Sequence, residues 1–212
     1  VALSSYSELQ TAVGSWLNRS DLTSNIPDFI KLAEASFNRV LRTRNQIKRA
    51  TSTVSTQFVT QPTDLLELYN IQINSDPIRR LEQVSLTKID ELKEGSSRSG
   101  KPLYFSITGA DFELYPSPDT SYTLELVYYS TITSLSDTNT SNFLLTNHPD
   151  IYLYGTLVQA EPYLMNDERI GTWGALLGKA IEELRVSDER SQTESGTLVM
   201  RATQNLDYGG WK

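Results

Sequence analysis

The sequence predicts an α+β fold: a helical bundle from N- and C-terminal helix pairs, with an inserted β-rich lobe. Three observations carry this. Apolar residues recur at helical spacing from Tyr6 to Leu41. The period then changes to Thr-, Val- and Tyr-rich runs that suit strands. Helical spacing returns at Ile151 and holds to Leu184. Two helical hairpins at the ends of a chain can pack as a four-helix bundle. The expected division is 1–50 with 147–190 for the bundle, 51–146 for the β lobe, and 191–212 for a tail that orders on assembly.

Taken in order, "SSYSELQTAVGSWLNRSD" opens with Ser5-x-x-Glu8, the pattern of a capping box. Tyr6, Leu9, Val13, Trp16 and Leu17 form the stripe of the first helix. In the second, Asn25 is placed to cap, Pro27 falls in the first turn and Asp28 favours the positive end of the helix dipole. Its stripe is Ile26, Phe29, Ile30, Ala33, Phe37, Val40 and Leu41, and its end is expected at Arg44 to Lys48. "TSTVSTQFVTQP" reads as a strand, and "DLLELYNIQI" becomes strand-like by Leu68. "EQVSLTKIDELKEG" predicts a short helix ended by Gly95. "PLYFSITGADFELYPSP" predicts a hairpin turning at Gly109-Ala110, with Phe105, Ile107, Phe112 and Leu114 on one face. "YTLELVYY" is the clearest strand.

After the polar loop "TSLSDTNTSN", a helix begins with Asn147 or His148 near its cap and Pro149-Asp150 in its first turn. Ile151, Tyr154, Leu157 and Val158 share a face, and Pro162 is expected to kink or end the helix. A last helix restarts at Asn166 to Glu168 with the stripe Ile170, Trp173, Leu177, Ala180, Ile181 and Leu184. The tail from about Ser191 has no strong period.

Bulk properties narrow the function. The chain has 212 residues, 38% of them hydrophobic, so its core is modest and much of its surface polar. Its net charge of −7 argues against a free-standing nucleic-acid binder. The absence of cysteine excludes disulfides, thiol nucleophiles and Cys-ligated zinc. No apolar run is long enough for a membrane helix, and no basic segment followed by an apolar one suggests a secretory signal.

Chemistry-bearing motifs are absent. There is no phosphate-binding loop, no GxSxG elbow, and a single histidine rules out HExxH. His148, at a helix start, reads as a helix-end or interface residue. The carboxylate pairs Asp64 and Glu67, Asp90 and Glu91, Asp111 and Glu113, Glu182 and Glu183, and Asp188 and Glu189 fall mostly on polar faces. A glycan hydrolase would need only two of them at the right separation. The one basic cluster is Arg39, Arg42, Arg44, Lys48 and Arg49. Cations there complement a helix C-terminus, and they also suit an acidic neighbouring subunit or DNA phosphate. Polar-tipped aromatics are in surplus: Tyr128, Tyr129, Tyr152, Tyr154 and Tyr163, with Tyr208 and Trp211 in the tail. Such residues are enriched at interfaces. No metal or cofactor is expected.

The strings "YSELQTAVGSWLNRSDLTSNIPDFIKLAEASFNRVLR", "YTLELVYYSTITSLSD" and "NFLLTNHPDIYLYGTLVQAEPYLMNDERIGTWGALLGKAIEEL" resemble the head-to-tail adaptor of tailed bacteriophages. That family is similar in role and architecture to the tail tubular protein A of short-tailed phages. The resemblance covers roughly residues 3 to 190, and "LTNHPDIYLYG" followed by "DER" and "W" is its most specific piece. It implies a ring of subunits, usually twelve, in the virion neck below the portal, made in the host cytoplasm. The implied partners are copies of the chain itself, the portal protein, the next tail component (nozzle or tail tube) and tail fibres. DNA would pass through the lumen without specific binding, and no membrane is involved. The family offers no catalytic residues to carry over. The interface candidates are then Arg39, Arg42, Arg44, Lys48, Arg49, Tyr152, Tyr154, Tyr163, Tyr208 and Trp211. Two rival readings stand beside it: a virion-associated glycan hydrolase using paired carboxylates, and a packaging factor that binds DNA through the basic cluster.

Overall fold

The structure, a computed structural model, describes residues 3–95, 98–164 and 167–193. Its class is α+β. Helix α1 (Tyr6–Leu17) begins at Ser5, whose side chain accepts the Glu8 N–H at 3.4 Å. Only that half of the expected capping box forms. The Glu8 carboxylate turns instead to Ser4, accepting its N–H at 2.9 Å and its hydroxyl at 2.7 Å. The helix ends on Asn18 at φ 53, a left-handed residue that asparagine tolerates.

Helix α2 (Ile26–Val40) carries Pro27 in its first turn as expected. Asn25 makes no side-chain cap; the Leu22 carbonyl accepts the N–H groups of Asn25 and Ile26 instead. The helix also stops before Arg44. Leu41 turns extended and is almost fully buried, and Thr43 to Gln46 close a 3₁₀ turn. Within that turn the Gln46 carboxamide oxygen accepts the Thr43 N–H at 2.9 Å, which satisfies two buried polar residues.

The lobe is a two-layer sandwich. One sheet has the order β1 (Ile47–Val54), β8 (Tyr122–Ser130), β3 (Leu65–Ile73), β4 (Arg79–Arg80). The other has the order β2 (Phe58–Thr60), β7 (Asp111–Tyr115), β6 (Tyr104–Thr108), β5 (Glu82–Gln83). Within each sheet the neighbours are antiparallel except for the parallel pair β5–β6. Helix α3 (Leu86–Gly95) packs Ile89 inward. Inward-facing Val54, Ile71, Ile73, Leu124, Leu126 and Tyr128 of the first sheet meet Phe105, Phe112 and Leu114 of the second in one apolar cluster. The predicted hairpin turns at Gly109, which takes φ +62. Phe105 faces Leu114 and Ile107 faces Phe112 across it, but Ile107 lies at the rim and is exposed.

Helices α4 (Phe143–Asn147), α5 (Pro149–Leu164) and α6 (Asp167–Thr193) complete the chain. α5 is buried nearly all round, on Ile151, Tyr152, Leu153, Gly155, Thr156, Leu157, Ala160 and Glu161. The reason is its neighbours: it contacts α1, α2, α4 and α6. Pro162 sits in its last turn, where the helix ends. Phe37 of α2 fits against Gly155, where a Cβ would approach the ring to 2.4 Å. A second apolar cluster joins α1, α2, α5 and α6 with Ile132 and Leu135 of the segment leaving the lobe.

The chain passes between lobe and helices twice, and the two crossings are tied together. Gln46 Nε2 donates to the Ser130 carbonyl at 3.3 Å, and the Ser130 hydroxyl donates to the Gln46 carbonyl at 3.0 Å. Asn38 Oδ1 accepts the Ile132 N–H at 2.8 Å, and Glu34 accepts the Leu135 N–H at 2.8 Å.

Candidate functional site

The basic cluster lies where α2 meets the sandwich, and acids of this same chain neutralise most of it. Arg42 Nε donates to Glu67 at 2.9 Å, and its Nη1 donates to the carbonyls of Asn38 and Leu41. The backbone N–H of Arg44 meets both oxygens of Asp188 at 3.2 and 3.1 Å, and its guanidinium lies 3.7 Å from the same group. Lys48 pairs with Asp64 at 2.6 Å and Arg49 with Glu125 at 3.3 Å. The Lys48 hydrogen bond holds the Asp64 carboxyl below its ordinary range. Asp64 also accepts the Tyr128 hydroxyl at 2.9 Å; burial first, and then this bond, push the Tyr128 phenol up to about 12. Arg39 is exposed on the last turn of α2.

The aromatic candidates separate. Tyr152 is fully buried, its ring edge-on to Phe37 at 5.3 Å and its hydroxyl between Glu34 and Asn142. It belongs to the core and has no surface to offer a neighbour, which corrects its placement at a subunit boundary. Tyr154 is half-buried and stacks on Trp173, with ring centroids 6.2 Å apart and planes 15° apart. Trp16 completes this group, 6.1 Å from Tyr154 and 5.6 Å from Trp173. Tyr163 is 57% exposed and leans on Phe29. Tyr208 and Trp211 lie outside the described residues.

Trp16 is the surface residue that the helical period concealed. It is 46% exposed, although the spacing puts it on the stripe of α1. Its neighbours fix its position: near the end of α1, it lies against Tyr154 of α5 and Trp173 of α6. The basic cluster sits by the last turn of α2, whereas Tyr163 leans on Phe29 in the first turn of that helix. The structure therefore does not bring the basic cluster and Tyr163 together.

His148 sits between α4 and α5, and its backbone does the joining. Its N–H donates to Leu144 at 2.8 Å and its carbonyl accepts from Ile151 at 3.2 Å. The cap of the preceding helix is Asn142, whose side chain accepts the Leu145 N–H at 2.9 Å. Several acids hold structural positions. Glu113, almost fully buried, receives Lys93 and Gln57. Glu125 lies low on the outer face of the larger sheet, beneath Arg49, Gln72 and Asn74. Buried Glu161 accepts the Trp173 indole N–H at 3.0 Å. Among the described residues no three His, Asp or Glu side chains gather as a metal cage would require. No described helix is long and apolar enough to cross a membrane.

The profile of a family described as SU10 adaptor protein matches residues 4–201, spanning both helical ends and the lobe between them. No curated protein matches the chain.

Proposed function

From the premise that this chain belongs to the SU10 adaptor protein family, and so serves as an adaptor in a bacteriophage virion, we propose that it forms a ring between the portal and the tail. The ring, of about twelve subunits on the resemblance above, would continue the DNA channel and give the next tail component its platform. The observation that carries this reading is the extent of the family match, which takes in the helices and the sandwich alike.

The surface supports it. A ring needs heterologous contacts, in which each subunit offers two different faces. Trp16 and Tyr163 make one candidate face on the helical part, because exposed aromatics favour interfaces. The sandwich makes the second, with Tyr69, Phe58 and Ile78 exposed. The helical part, 1–50 with 147–190, would then face neighbours or the portal, and the lobe, 51–146, would face tail components. We place the end of the tail, with Tyr208 and Trp211, against a partner. The internal pairing of Arg42, Arg44, Lys48 and Arg49 leaves little of that cluster to grip phosphate, which suits a wall past which DNA slides.

The test is to mix the purified protein with the portal protein of the same genome and image the mixture and each component by negative-stain electron microscopy. The expected result is an added rotationally symmetric layer on the portal, whose order gives the subunit count. A portal that stays bare across several salt and pH conditions would overturn the proposal.

A further inference from the structure

The larger sheet ends on one side in an unusually accessible strand. Strand β1 pairs with β8 along its whole length, and among the described residues nothing pairs with its other edge. Six of its eight residues are exposed. An edge of this kind presents a row of N–H and C=O groups ready for another strand. No proline or bulge blunts it, and the register with β8 is continuous from Ile47 to Val54; its two charges, Lys48 and Arg49, stand at its start and are paired with Asp64 and Glu125.

The same side of the sandwich is incompletely closed. β1 runs through residues 55–57 into β2, so the edges of the two sheets lie together there. Ala50 and Val59 are only partly buried against the sandwich core, and Phe58 is 52% exposed.

The end of α6 lies close by. Asp188, in its last turns, bonds the backbone of Arg44, three residues before β1 starts. Residues 194–212 follow. Within them, Thr197-Leu198-Val199-Met200-Arg201-Ala202-Thr203 contains no glycine, proline or acid. It alternates Leu198, Met200 and Ala202 with Thr197, Val199, Arg201 and Thr203, the period of a strand with one apolar face. An extended chain covers about 3.3 Å per residue, so this segment begins within about 15 Å of the end of α6 and can run the length of β1.

We propose that residues 197–203 add a strand to the free edge of β1 in their own chain. Leu198 and Met200 would then close the open side of the sandwich over Ala50 and Val59. The pairing is independent of the adaptor reading, because it concerns the fold of one chain.

The chain has no native cysteine, which permits a direct test on the full-length protein. With Thr51→Cys fixed, single cysteines are walked through positions 197 to 203, and each pair is oxidised at low protein concentration. The expected result is rapid disulfide formation at one position, or at two positions two residues apart on the same face, within a monomer. No disulfide at any position overturns the proposal. Disulfides only between chains overturn it too, assigning the edge to another copy's tail. A second readout is hydrogen exchange of the peptide spanning β1. Met200→Pro leaves the folded body untouched but cannot complete the pairing. The outward amides of β1 should exchange at least about tenfold faster in that variant than in the native chain; identical exchange overturns the proposal.

Discussion

Tyr152 donates its hydroxyl to Oε1 of Glu34 at 3.1 Å, deep among the helices, and the same oxygen accepts the Leu135 N–H at 2.8 Å. Burial raises the Glu34 carboxyl above its ordinary value of 4.5, against the lowering effect of its hydrogen bonds. A folded value above the unfolded one means the native state holds this proton longer. Its stabilising contribution is complete below the unfolded value and is lost as pH rises through the folded one. Glu34→Gln should remove that decline. Urea midpoints measured from acid to neutral pH check this; parallel curves for the two proteins would contradict it.

Gly155 lies under Phe37 with no room for a methyl group, since a Cβ would meet the ring at 2.4 Å. Gly155→Ala should destabilise the chain by about 1–3 kcal/mol through overpacking. Adding Phe37→Leu should recover part of that loss, although it leaves space of its own. Thermal unfolding of the two single variants and the double variant would show the coupling, and strict additivity would rule it out.

His148→Ala should leave folding largely intact. The hydrogen bonds that join α4 to α5 at this position are backbone bonds, which alanine keeps. Circular dichroism and a melting curve close to native are the expected outcome. A hydrolytic activity lost on this change would instead point to an enzyme.

The basic cluster should not confer DNA binding. Four of its five members are paired with Glu67, Asp188, Asp64 or Glu125. Filter binding of duplex DNA at low salt should give no retention that falls with added salt. Retention that does fall with salt, and is lost in Arg39→Ala and Arg42→Ala, would favour the packaging-factor reading.

Trp16→Ser should leave the helical spectrum unchanged but weaken assembly on the portal. Its ring rests on Tyr154 and Trp173 while 46% of the residue stays exposed. Sedimentation of the mixture reports the complex. Native-like assembly by this variant would remove Trp16 from the interface.

Much of the architecture was legible because it rests on local period. The change near residue 50, the hairpin at Gly109 and the strand through Leu124 to Tyr128 follow from alternation and one glycine. The candidate surface was less legible. α5 is enclosed by four helices, so it has no single buried stripe, and the spacing set Tyr154 on its core face while giving no sign that Tyr152 is the fully buried one. Trp16 falls at the border of its stripe, where spacing cannot separate core from surface. The basic cluster was visible but its neutralisation was not, because Glu67 and Asp188 lie 25 and 144 positions from their partners.

The paired crossings between helices and sandwich have a mechanical consequence. A lobe hung from two independent tethers would swing. Here Gln46 and Ser130 lace the tethers to each other, while Asn38 and Glu34 lace the returning one to α2. Each of these bonds must break before the lobe can swing freely on the helices, so a load applied at the tip of the lobe would be carried into the helices as torque.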